Sequence, residues 1–155
     1  MLVSDVMNKM SNRMFEYDAF TPSQLIDFIN DADDQLANLL NGMNDPLLQN
    51  TISISGATNK PTGYIRPVPK NGYPVTETTT QIVPYTASAF TMRYAFNPAH
   101  VSNSTDTMPF PDYLCGIIAM LAVMICQNKF LYDLSQDINT LNTIKAELAK
   151  ARGGA

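Results

Sequence analysis

Charge is what this sequence has least of: 24 Lys, Arg, Asp and Glu residues in 155, against roughly a quarter of the residues in ordinary soluble domains. Neutral polar side chains take their place, with 14 Asn, 14 Thr, 9 Ser and 6 Gln. A surface of amides and hydroxyls has little colloidal repulsion and suits coverage by partners. The net charge of -4 excludes a stand-alone nucleic-acid binder, which needs clustered Lys and Arg to neutralise phosphate.

Histidine and cysteine are nearly absent too. His100 is the sole histidine, and Cys115 and Cys126 are the two cysteines. On one helix the cysteines would stand about 16 Å apart, too far for a disulfide, and this set does not make a His/Cys zinc site. They read as small buried hydrophobes of a reducing compartment. The seven glycines form neither GxGxxG nor GxxxxGK[ST], and GxSxG, HExxH and CxxC are all missing. No enzyme is expected, and no cofactor or metal.

Long apolar runs are missing as well. The strongest, Tyr113 to Cys126, has fourteen uncharged residues and would span about 21 Å as a helix, short of a bilayer's hydrocarbon core. It is expected to be a core or oligomer-interface helix rather than a membrane segment. Asp5, Lys9 and Arg13 interrupt the opening stretch, so no secretory signal peptide is expected there.

Proline divides what is present. Nine of the ten prolines fall between residues 44 and 111, which predicts helices on either side of a non-helical middle. In residues 1–43, Val3, Val6, Met7, Met10 and Met14 make one amphipathic pattern. Thr21-Pro22-Ser23-Gln24 then reads as a capping box with proline at the first helical position. Leu25, Ile29, Ala32, Leu36 and Leu39 or Leu40 form the stripe that follows, and Asn41-Gly42 forms the stop. Opposite the stripe lie Asp27, Asp31 and Asp34, with Asp33 beside them. This row is either a solvated face or a site for a basic partner, with a metal a lesser alternative.

The middle, 44–111, reads as a β-rich insertion. Residues 51–55, 75–83 and 87–96 have strand patterns, the last placing Ala89 or Phe90, Met92, Tyr94 and Phe96 on one face. Between them residues 56–74 carry Gly, Pro and Asn at a density that predicts a projecting arm without regular ladders. Its large residues Tyr64, Ile65, Arg66, Val68 and Tyr73 either fold back on the sheet or dock on a neighbouring subunit. Residues 112–150 are expected to be helical, as one bent helix or two with the change near Gln127 to Lys129. Residues 151–155 are expected to be a flexible tail. The sequence therefore predicts a single α+β domain, mainly α: a four-helix-type bundle with a loop-rich β insertion.

This order of elements, with LVSDVMNKM, TPSQLIDFINDADDQLANLL, FTMRYAF and MPFPDYLCGIIAMLAVMICQNKF along it, resembles the head-to-tail adaptor proteins of tailed bacteriophages, also called connector, gatekeeper or tail-tubular proteins. The resemblance implies a virion structural protein of the neck, assembled in the host cytoplasm. It implies a homo-oligomeric ring, of twelve copies, joining a portal protein to tail or nozzle proteins while DNA passes through the channel without specific binding. By position it assigns Lys150, Arg152, Gly153 and Gly154 to portal docking. Tyr64, Ile65, Arg66, Val68 and Tyr73 fall to subunit or tail contacts. The segment charges, net -6 over residues 1–50 and +3 over 51–105, would let the face of Asp27, Asp31 and Asp34 meet a basic face around a closed ring. Another neck or tail component, such as a tail-completion or stopper protein, or a small non-enzymatic regulatory binding protein, is the competing reading.

Overall fold

A computed structural model describes all residues except Phe15, Tyr132, Asp133, Gly154 and Ala155, with backbone alone at 129–131, 134–138 and 151–153. The chain separates into two compact units, one of Met1–Gln35 with His100–Ala155 and the other of Leu36–Ala99.

The first unit is helical. Its opening helix α1, Val3–Ser11, buries Val3, Val6 and Met10 completely, each contributing roughly 1.5–3 kcal/mol through apolar burial. The free N–H groups of its first turn are answered by the chain that follows the second unit. Val3 N–H donates to the Asp106 carbonyl at 3.0 Å and Ser4 N–H to the Ser104 carbonyl at 2.9 Å, which satisfies donors no helix can satisfy alone. Helix α2, Pro22–Gly42, opens with the expected box: Thr21 N–H donates to Gln24 Oε1 at 2.9 Å and Gln24 N–H to Thr21 Oγ1 at 3.3 Å.

Helix α3, Cys115–Leu131, contains most of the long apolar run, and helix α4, Leu134–Gly153, follows it. Leu114, Ile117, Ile118, Leu121, Ala122 and Cys126 are buried, and so are Ala119, Val123 and Met124 on the remaining faces. Such all-round apolarity requires cover on several sides, and α3 receives it by packing against both α1 and α4. From α4 the side chains of Ile144 and Leu148 are buried one turn apart. Both cysteines are buried. No helix among the described residues is long and apolar enough to cross a membrane.

The second unit takes the last turns of α2 and six strands: β1 Gln49–Ile54, β2 Thr58–Asn59, β3 Tyr64–Pro67, β4 Val75–Glu77, β5 Gln81–Pro84 and β6 Phe90–Phe96. They form two antiparallel three-stranded sheets, ordered β1-β6-β3 and β2-β5-β4. Period-two alternation on β6 buries Met92 and Tyr94 and exposes Thr91 and Arg93, as the pleat dictates. Ile54, Met92 and Tyr94 from the first sheet share a core with Ile82 from the second, flanked by Tyr64, Tyr73, Phe90 and Phe96. Tyr73 stacks on Phe90 with centroids 6.2 Å apart, and Tyr64 lies 5.5 Å from Tyr94.

Three expectations are corrected. The fold is a mixed α+β architecture, 47% helical and 20% strand, with two sheets, and not a mainly helical bundle. The reason is that the middle segment closes a core of its own from alternating apolar residues. Residues 56–74 do not project without ladders: β2 and β3 lie within them, each pairing with a strand from 81–96. Short strands suffice because each needs only a few ladder bonds between its Gly and Pro positions. Finally, residues 151–153 continue α4 and are not a loose tail, because Ala151 and Arg152 are good helix formers extending an existing helix.

Candidate functional site

The acidic row on α2 divides once its residues are placed. Asp27 and Asp31 are exposed and Asp34 is partly so. Asp33 turns the other way and is 2% exposed. The helical period accounts for this, since Asp33 stands four residues after Ile29 and three before Leu36, within the apolar stripe. Neither of its carboxylate oxygens has a hydrogen-bond partner among the described residues. Burial first and the neighbouring Asp34 charge second, opposed by His100, push the Asp33 carboxyl up to about 7.

Beside it, His100 Nε2 lies 3.0 Å from each carboxylate oxygen of Asp34. The next residue along the loop, Val101, is held by Asn30, whose Nδ2 donates to its carbonyl and whose Oδ1 accepts from its N–H. Further along, Asp106 Oδ2 accepts from the N–H groups of Ser102 and Asn103, both at 2.8 Å. These bonds hold its carboxyl below the usual range. Sequence reasoning missed both the burial of Asp33 and its proximity to His100. The stripe positions could have revealed the first; the second joins residues 67 positions apart in the chain and has no local signal.

In the second unit, four of the five candidate contact residues are engaged within the unit. Tyr64 Oη donates to Glu77 Oε1 at 2.6 Å, Glu77 Oε2 pairs with Lys60 Nζ at 3.1 Å, and Lys60 stands 5.2 Å over the Tyr64 ring. Burial, and secondarily the Glu77 hydrogen bond, raise the Tyr64 phenol well above its ordinary value. Arg66 Nη2 donates to Asn44 Oδ1 at 2.7 Å and to the Asn41 carbonyl at 3.3 Å. Tyr73 Oη donates to the Val68 carbonyl and accepts from Arg93 N–H.

Ile65 is the exception. The β3–β6 register slips between Tyr64 and Arg66, and a bulge of this kind re-aims the extra side chain. Ile65 is 40% exposed, and Tyr85, in a charge-free run from Thr78 to Met92, is 73% exposed. Of the positive side chains, Lys60 and Arg66 are used internally; Lys70 and Arg93 are exposed, with Arg93 Nη1 donating to Gln49 Oε1 at 3.5 Å.

At the far end of the chain Lys150 is exposed on α4; Arg152 and Gly153 continue that helix, and Gly154 lies outside the described residues. An open cleft of about 170 Å³ in the first unit is lined by Met120, Val123 and Met124 with Arg13, Gln127 and Thr140. Among the described residues no group of three or more His, Cys, Asp or Glu could hold a metal ion. No protein-family model matches this chain, and no curated protein matches it.

Proposed function

We propose that this chain is a virion structural protein, a head-to-tail adaptor that works as one subunit of a ring between portal and tail. The reading rests on the resemblance in element order, and what supports it most among the observed features is the surface of the second unit. Fifteen consecutive residues, Thr78 to Met92, carry no charge, yet Tyr85 in their midst is 73% exposed, with Ile65 at 40%. Aromatic and aliphatic side chains amid uncharged polar ones are the composition of an interface core.

A ring is built from heterologous contacts, in which two different faces of each copy meet. Asp27 and Asp31 supply an acidic face, and Lys70 and Arg93 the exposed positive charge of the second unit. The helical bundle is no part of this reading. The aromatic residues of 56–74 shape the sheet core, and the contact role in that segment passes to Ile65.

Sedimentation with purified portal rings, followed by negative-stain imaging, tests the reading. An adaptor sediments with the portal and adds a ring below it. Absence from the portal fraction, together with binding to completed tails, would favour another neck or tail component. Binding to neither would favour a regulatory protein.

A further inference from the structure

The feature that the assembly reading leaves unused is a buried carboxylate with nothing to bond. Asp33 is 2% exposed, and neither oxygen has a hydrogen-bond partner among the described residues. An ionised carboxylate so placed would be uncompensated, a state proteins avoid by keeping the proton. The charged groups acting on it are Asp34 on its own helix and His100 on the facing loop. Asp106, farther along that loop, is taken up by the N–H groups of Ser102 and Asn103. Asp27 and Asp31 are exposed on another face of α2.

We propose that Asp33, Asp34 and His100 form a proton-operated clamp that holds the 100–106 loop on α2 in acid and loosens it as the pH approaches neutrality. The titration of Asp33 drives the change. Removing the Asp33 proton places a negative charge among apolar groups beside Asp34, and that charge can be hydrated only if the helix face and the loop separate. The new charge also repels Asp34, whose 3.0 Å contact with His100 ties the loop to the helix. The loop also supplies the Ser104 and Asp106 carbonyls that accept from the first turn of α1. Loosening the clamp therefore reaches the N-terminus of α1.

The sign follows from linkage. An unfolded aspartate loses its proton near pH 4, while the folded chain retains this one to about 7. The contribution of Asp33 to stability is present in full below pH 4, declines across the interval, and levels off above pH 7.

The test is equilibrium denaturation of the wild type and Asp33→Asn at pH 4.5 to 7.5, alongside NMR titration of the wild-type Asp33 carboxyl and the Val101 amide. Relative to Asp33→Asn, the wild-type unfolding constant should rise more than about tenfold between pH 5 and 7. The Val101 amide should shift with the same midpoint as the Asp33 carboxyl. A constant difference between the two stability curves would overturn the clamp. If Asp33→Asn does not fold, the wild-type titration decides: a carboxyl midpoint near 4, or a Val101 amide that does not follow it, rejects the proposal. His100→Gln provides a further check, because losing the opposing charge should move the Asp33 midpoint upward, and a downward move contradicts the arrangement.

Discussion

Asn30 and Val101, 71 positions apart, pair in both directions: the side-chain amide donates to the Val101 carbonyl and accepts from the Val101 N–H, each at 2.9 Å. The amide thus acts as a single ladder rung between a helix and a loop that has no strand to join. Asn30→Ala should destabilise the first unit by about 2 kcal/mol, because two hydrogen bonds go and a part-buried backbone pair is left unmet. Asn30→Asp, which keeps an acceptor but loses the donor, should cost nearly as much. Urea denaturation of both variants measures this, and a loss under about 0.5 kcal/mol for each would show that the loop is held by other contacts.

Gly63 sets the entry to β3. Its φ is +75°, and a Cβ there would collide with the carbonyl oxygen of Asn97, whose N–H in turn donates to the Gly63 carbonyl at 2.9 Å. Gly63→Ala combines left-handed strain with a backbone clash and should lower stability by about 2 kcal/mol or more. Gly42→Ala, where an added Cβ meets nothing within 4 Å, should stay within about 1 kcal/mol of the wild type. Thermal melts of the pair check the contrast, and equal effects would contradict it.

Tyr64, Glu77 and Lys60 tie β3 and β4, in different sheets, to the turn between β2 and β3. Tyr64→Phe should cost about 1 kcal/mol, the worth of one hydrogen bond. The titration has a definite sign. Because folding raises the phenol's pKa, the associated stability is intact below pH 10 and is lost as the pH climbs from there towards the folded value. Absorbance titration of the phenolates should show a late step from Tyr64, and that step should vanish in Tyr64→Phe.

Charge reversal of the exposed acidic face tests the ring. Asp27→Lys with Asp31→Lys should reduce co-sedimentation with portal rings while leaving monomer stability within about 0.5 kcal/mol, as expected for exposed positions. Asp34 is left in place because His100 engages it. Tyr85→Ser should weaken assembly in the same assay. Undiminished ring formation in both variants would remove these faces from the interface.

Much of the helical unit was legible in advance because its signals are local. Spacings of three and four marked Val3, Val6 and Met10, and Thr21 with Gln24 marked the start of α2 within a single turn. The β unit was legible as strands but not as sheets. Which strand lies beside which depends on pairs such as Ile52 with Met92, and Tyr64 with Phe96, and no local propensity encodes those partners. A density of Gly and Pro limits the length of ladders without barring them. The assignment of Asp33 to the acidic row came from its type and its neighbours; its stripe position argued otherwise.

By itself the sequence determined where α2 begins and stops, which faces of α1 and β6 are apolar, and that the cysteines stand too far apart to join, since all of these follow from fixed rises and periods along one chain. Tertiary structure alone decided that the proline-rich middle closes a core of its own, that Ile65 points outward through a slip in register, and that Asp33 sits buried beside an Asp34–His100 pair. Burial and electrostatic environment are set by what arrives from distant positions, and no count of residue types or local spacing contains that information.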